Sequence, residues 1–382
     1  MMVAAVYSPA AMAAWSTELE LEYRYFFSEP QFAEQARHAP SVSLRPKWDK
    51  TSVSGEHVYD FQAFLRADAN DDERSHADIN ELSWTYAPSG WEFRAGISKV
   101  FWGVAETQHL VDIVNQTDAV DRLDGEIKLG QPMLSASRLT NIGVFDLFVL
   151  PYFRERTFVG VEGRLRTALV VDTDQAVYES DDEQSNLDYA LRWSHSVGAW
   201  DLGVSYFDGT GRDPILRPSQ QFDRLIPHYV QIEQIGLDVQ ATYDEWLLKL
   251  EAITRSASVN FSEQDYDAAI AGFEYTFFDI ANAGADLGIV VEYLYDSRGD
   301  ATAFDDYAVL ALRLALNDEQ STDVLLGCGV DGELCFIEGS RRLNDSLSLS
   351  VRGNSFSNID EESLLASQRE DDFLQFNLTY FF

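Results

Sequence analysis

Phe373-Leu374-Gln375-Phe376-Asn377-Leu378-Thr379-Tyr380-Phe381-Phe382, preceded by Asp371-Asp372, divides by parity. Leu374, Phe376, Leu378, Tyr380 and Phe382 fall on one side of an extended chain, and Gln375, Asn377 and Thr379 on the other. That is a strand with one oily and one wet face. The oily face needs either a protein core or lipid against it. Which of the two depends on whether such strands recur along the chain.

They recur in a regular rhythm. Leu19, Leu21, Tyr23, Tyr25 and Phe27 alternate with Glu18, Glu20, Glu22 and Arg24, a charge density that suits the wet lumen of a wide barrel better than a soluble sandwich. Segment 41–49, broken by Pro46, reads as a poor strand, and 56–68 as a good one. Residues 77–87 and 91–102 form a hairpin about Pro88-Ser89-Gly90, with Leu82, Trp84, Tyr86, Trp91 and Phe93 opposite Glu81, Thr85, Glu92 and Arg94. Further strands are expected at 142–150 and 158–171, on both sides of Val197-Gly198, and at 230–242, 246–258, 267–278, 285–296, 306–317, 321–330, 333–342, 345–354 and 372–382. The fold class expected is all-β: a transmembrane antiparallel barrel of about eighteen strands, fourteen at the fewest, over residues 15–382.

Loop lengths agree with this. Every second connection is short (50–55, 88–90, 151–157, 197–198, 243–245, 279–284, 318–320, 343–344), and the alternate ones are mostly long and acidic, with 331–332 the exception. A sandwich has no reason to sort its loops this way, whereas an outer-membrane barrel has short turns on one side and long loops on the other. Among the 24 Phe, 17 Tyr and 8 Trp, Trp84, Tyr86, Trp91, Trp200, Trp246, Tyr380 and Phe382 lie near the short-turn end and Tyr25, Phe27, Phe101, Tyr206, Tyr293 and Tyr295 toward the other, as two aromatic belts would. No run of 18 apolar residues exists, so a membrane would be crossed by strands rather than by a helix. Met1–Ala14 reads as the end of a secretory leader, with Ala11-Met12-Ala13 as its cleavage site.

Residues 103–140 break the rhythm. Ala105–Val114 has the pattern of a short helix, and the segment as a whole is expected to fold inward and constrict the lumen, or to plug it. Its charged contributors are Asp112, Asp118, Asp121, Arg122, Asp124, Glu126 and Lys128. Parity directs Arg24, Arg66, Glu92, Arg94, Arg164, Arg166, Arg192, Arg313 and Arg352 inward to the same space. Opposed charges across a narrow wet bore set up a transverse field that sorts polar solutes, although the same residues are also what solvates any barrel wall.

Other chemistry is sparse. The 28 basic against 64 acidic residues give −36, which argues against nucleic acid as a partner. Six histidines offer no nucleophile–base pair: His195 lies on the parity opposite Ser194, and His76 has Ser75 and Asp72 only as chance loop neighbours. The expectation is no enzyme. Cys328 and Cys335 flank Asp331-Gly332, and a type I′ turn there sets them directly opposite, either bridged or as two free thiols. Asp172, Asp174, Asp181 and Asp182 lie in a loop run without a base, read either as solvated chain or as a place where Ca2+ or Mg2+ bridges to lipopolysaccharide. No cofactor is expected otherwise.

Arg94-x-Gly96, Phe101-Trp102-Gly103, Asp112-Ile113-Val114-Asn115-Gln116-Thr117-Asp118 and Gly143–Pro151 together resemble a poorly characterised, porin-related group of Gram-negative outer-membrane barrels. That group shows R-x-G, W-G, D-x-x-N-P-x-D and V-x-P in this order; Gln116 stands here in place of its Pro. The resemblance covers residues 91–151 and implies a barrel with an internal constricting segment. Phe382 at the end of an alternating strand also resembles the signal by which such barrels are taken up by the barrel-assembly machinery. The implied setting is the outer membrane, with both termini periplasmic, lipid and lipopolysaccharide as surroundings, and a monomer or a trimer as the assembly. The expected function is a diffusion channel for small polar or amphipathic solutes. A structural or adhesive barrel with cation-binding loops is the first alternative, and a channel for hydrophobic compounds with a lateral gap at 41–49 the second.

Overall fold

Period-two alternation becomes eighteen antiparallel strands in one closed sheet in a computed structural model, which describes residues 13–122, 124–257, 265–302, 304–361 and 363–382. In chain order the strands are β1 (Ala13–Phe26), β2 (His38–Thr51), β3 (His57–Asp68), β4 (Ala77–Tyr86), β5 (Trp91–Ser98), β6 (Gln131–Thr140), β7 (Gly143–Leu150), β8 (Val177–Tyr178), β9 (Asp188–Val197), β10 (Trp200–Thr210), β11 (Ile215–Pro218), β12 (Leu225–Tyr229), β13 (Gln231–Tyr243), β14 (Trp246–Ala257), β15 (Tyr266–Ile280), β16 (Ala285–Asp296), β17 (Tyr307–Ala315), β18 (Asp323–Gly329), β19 (Leu334–Asn344), β20 (Leu347–Phe356) and β21 (Phe373–Phe381). All but β8, β11 and β12 belong to the barrel. The last strand closes on the first, Glu18 facing Phe381 through to Phe26 facing Phe373. Every edge is thereby paired, the condition for a sheet to stand in hydrocarbon.

The wall has its polarity reversed relative to a soluble protein. Leu21, Tyr23, Trp84, Leu237, Leu310 and Leu378 are exposed on the outside, while Glu22, Arg24, Arg66, Glu251 and Glu292 are buried within. Only lipid removes the hydrophobic cost of such an exterior. Connections at one end are tight (87–90, 141–142, 198–199, 244–245, 345–346), and those at the other are long (27–37, 99–130, 151–187, 211–230, 357–372), with 330–333 the short exception.

Four expectations need correction. Residues 158–171 are not a strand, and 151–157 is not a turn; both belong to the connection 151–187. Their alternation arises because the loop lines the interior, where Asp71 sits so close to Gly160 and Gly163 that a Cβ on either would meet its carboxylate at 2.4 and 2.2 Å. A strand missing from the expectation, β6, lies inside 103–140, so the inward segment is 99–130. Its outward positions are Pro132, Leu134, Ala136 and Arg138, with Leu134 alone strongly apolar, which hides the period. These two errors offset, leaving the count at eighteen. The stretch 41–49 is not weak: β2 is paired with β1 along thirteen positions and with β3 on its other edge, so no lateral gap opens there. Finally, no helix forms over 105–114. The leader expected over residues 1–14 lies outside the described residues up to residue 12, and Ala13 and Ala14 open β1.

At the long-loop end β8, β11 and β12 make a small second sheet. Phe153, Tyr178 and Tyr229 pack beneath it, their centroids 4.8 to 6.2 Å apart. Its strands come from the two connections that leave β7 and β10, so it caps that side of the barrel.

Candidate functional site

The inward segment begins at a fixed base. Asn115 accepts from the Val100 N–H at 2.8 Å and donates to the carbonyls of Ser98 and Leu129 at 3.0 and 2.9 Å, tying both ends of the segment together. Gln116, fully buried, donates to the Arg154 carbonyl at 3.1 Å, and the Val114 carbonyl accepts from Arg212 at 3.0 Å. Asp112 meets Lys128 at 3.3 Å, and Asp118 takes hydrogen bonds from His76 and Thr157 at 3.0 and 2.8 Å. Most of the D-x-x-N-x-x-D residues therefore act as anchors.

From this base the chain crosses the lumen. Glu251 on β14 accepts N–H bonds from Val104, Ala105 and Val111, at 2.7, 2.9 and 3.3 Å. Glu292 on β16 accepts from the N–H groups of Glu106 and Thr107, at 2.7 and 2.9 Å. Only the Val111 N–H among these donors would have entered a helical bond over 105–114; the others belong to what would be its first turn, and their attachment to two different strands holds the segment along the wall rather than in helical turns. Glu106 is in turn held by Lys249 and Arg313, at 2.5 and 2.7 Å.

Two charge clusters complete the crossing. In the first, Asp121 pairs with Arg66, and Arg74 lies 2.8 Å from Glu22 and 2.6 Å from Asp68, while Arg24 stands 3.8 Å from Glu22. Burial alone would raise the Asp121 carboxyl, but Arg66 and Arg74 outweigh it and hold it down at about 2. In the second, Arg122 reaches from the segment to Asp124 and to Glu338 on β19, the latter at 2.6 Å, and Arg352 on β20 stands 3.8 Å from Asp124.

The two sides of the lumen end up different. On the β6–β14 side Trp102, Val111, Ile113 and Val114 pack on Phe148, Leu150, Phe207, Ile232 and Ile253, a dry core inside the barrel. Nearer the tight turns of that side a cavity of about 440 Å3 stays open beside Arg192, Asp201 and Asp238, and on the β16–β21 side two further cavities remain. One, of about 430 Å3, lies from mid-barrel toward the tight-turn end and includes Glu20, Arg45, Arg66, Asp121, Arg313 and Asp323. The other, of about 530 Å3, lies toward the long-loop end. Both touch Arg122, Leu325, Glu338 and Arg352, so they stack with the second charge cluster at their junction.

Arg24, Arg66, Arg313 and Arg352 face the crossing from the strands, and Asp121 and Arg122 meet them from the inward segment. Arg192 faces inward on the packed side, in a two-point pair with Asp238 at 2.8 Å. Arg164 and Arg166 are buried but loop-borne: Arg164 binds Asp371 at 2.6 Å, and Arg166 lies 3.8 Å over the Phe32 ring. Glu92 and Arg94 pair with each other at 3.2 Å near a tight turn, away from the crossing. Glu106, Lys249, Glu338 and Arg74 did not stand out in the sequence. Inward parity marks Lys249 and Glu338, but nothing local marks Glu106 or Arg74.

Cys328 and Cys335 form a disulfide between directly opposed positions on β18 and β19. The turn between them is not type I′, since Gly332 has a positive φ and Asp331 does not. Asp172 accepts from Arg224 and from Gln175, the latter at 2.6 Å, and Asp174, Asp181 and Asp182 are exposed. Among the described residues no three His, Cys, Asp or Glu converge as a metal site would require. His76 spends both ring nitrogens on Asp118 and the Arg74 carbonyl.

No family model and no curated protein matches the chain. Among solved structures, two variants of the Rhodopseudomonas blastica porin are similar, each with a TM-score of 0.48, 13% identity, and 97% of this chain and all of that one covered. A structure described as asymmetric conductivity of engineered proteins is similar to the same extent, at 12% identity.

Proposed function

We propose that this chain is an outer-membrane diffusion channel for small polar or amphipathic solutes, standing with its tight turns and both termini in the periplasm and its long loops outside. One observation carries the reading: the inward segment is pinned across the lumen yet leaves stacked cavities along β16–β21, flanked by opposed charges. A barrel that needed only to stand in the membrane would have no use for a buried crossing of this kind. The charged junction acts as the filter, where a solute exchanges part of its water for arginine and carboxylate partners.

Planar-bilayer recording tests this. Wild-type protein is expected to conduct at a level low for an eighteen-stranded barrel, and deletion of residues 104–128 to raise single-channel conductance severalfold. Folded protein that passes no current, with or without the segment, would support the structural or adhesive role instead.

A further inference from the structure

The cavity at the long-loop end does not follow the rule of the rest of the wall. Inward positions of β17–β19 are apolar there as well as outward ones, so Leu325, Leu334 and Phe336, with Phe304 and Leu365 from the loops, present an oily surface to the bore. On the other side of the lumen such residues are covered by the inward segment; here Phe304 and Phe336 pack on one side against Ala105 of the segment with Ile270, Leu294, Tyr307 and Val309, and a space of about 530 Å3 is left beside them. That volume lies within the range of small-molecule sites. Apolar surface left facing water in a channel is costly, and a solute with an apolar body would relieve it in passing.

The lining also carries five carboxylates that are already held: Glu106 by Lys249 and Arg313, Glu126 by His109, Glu292 by backbone N–H groups of the segment, and Asp124 and Glu338 by Arg122. Beside them the floor of this cavity holds a cation with little to bind. Arg122 is engaged at two of its nitrogens, by Asp124 at 2.7 Å and Glu338 at 2.6 Å. Arg352 has long contacts, 3.8 Å to Asp124, 3.5 Å to Gln375 and 5.7 Å over the Phe373 ring, and its Nε has no hydrogen-bond partner although the side chain is only 14% exposed. A guanidinium held out of water with unmet donors is a ready carboxylate partner.

We propose that the outer cavity is a binding site for small carboxylic acids with an aromatic or aliphatic body, the ring or chain against Phe336, Leu334 and Phe304 and the carboxylate on Arg352. Seen this way, the channel is biased toward one class of amphipathic solute, a refinement that rests on the channel reading for its route but on the cavity alone for its affinity. Lipid-nanodisc protein is titrated by saturation-transfer NMR with 3-phenylpropionate, 3-phenylpropionamide and propionate, and the acid is also added to the long-loop side in bilayer recordings. The acid is expected to bind saturably at least tenfold more tightly than either the amide or propionate, and to interrupt the current. R352Q and F336N, checked as folded by the compact unheated band on gels, should each weaken acid binding about tenfold. Equal binding of acid and amide, no saturable binding, or unchanged affinity in R352Q overturns the proposal. Binding without conductance would sink the channel reading and leave the site; conductance without binding would do the reverse.

Discussion

At the scale of single residues, the crossing depends on charged atoms whose partners are far away in sequence. His76 is an example that pH can reach. Burial works to lower its imidazole, but the hydrogen bond and charge of Asp118 prevail and raise it. A group raised on folding contributes fully below its unfolded value, near 6.5, and loses that contribution as pH climbs through the folded one. The stability advantage of wild type over H76Q should therefore be largest at pH 5–6 and shrink toward pH 9, measured by denaturant midpoints in micelles. An advantage that stays flat across that range would mean that the protonated charge plays no part. At this scale the sequence was half legible. Parity alone places Arg66 and Arg352 inward, because strand geometry is local. That Arg352 is left poorly paired while Arg122 is satisfied depends on Asp124 and Glu338, residues no local pattern brings together.

At the scale of elements, legibility follows how completely a strand obeys its own alternation. β14 and β21 show it at nearly every position, and their outward and inward sets were clear. β6 does not, because Arg138 occupies an outward position, lying 4.9 Å over the Trp91 ring and donating to the Gly90 carbonyl at the membrane edge, where a long cationic chain can reach water. Residues 158–171 show the converse error, since a loop lining a wet interior also sets apolar against charged residues. The two faces of a true strand should respond unequally to the same charge. Leu378→Arg, on the exposed face of β21, is expected to cost about 2–4 kcal/mol if it sits near the bilayer midplane. Ser350→Arg, which lines the inner cavity on β20, should leave stability nearly unchanged and alter conductance instead. Refolding titrations into lipid vesicles measure the difference, and equal costs would contradict the assigned faces.

For the whole molecule, net charge is a poor guide to what the bore selects. The −36 belongs largely to loops and rims, whereas the inner cavity is lined by five arginines (Arg45, Arg66, Arg122, Arg313, Arg352) and five acids (Glu20, Glu22, Asp121, Asp323, Glu338). Reversal potentials should therefore show a cation-to-anion permeability ratio within about threefold in 1 M salt, where charges beyond about 3 Å are screened, rising on dilution as the loops begin to be felt. A strong preference persisting at 1 M would place the selecting charge inside the bore.

The seam between β1 and β21 carries a consequence for biogenesis. Residues 18–26 find their last partner in residues 373–381, nearly the full chain away. Until that pairing forms, every intermediate is an open, curling sheet with two sticky margins, each able to recruit another chain. The entropic toll of joining such distant segments grows only logarithmically with their separation, so the hazard is one of timing. Closure joins the two ends of the sheet in one pairing, and any state that lacks it leaves both margins open to other chains.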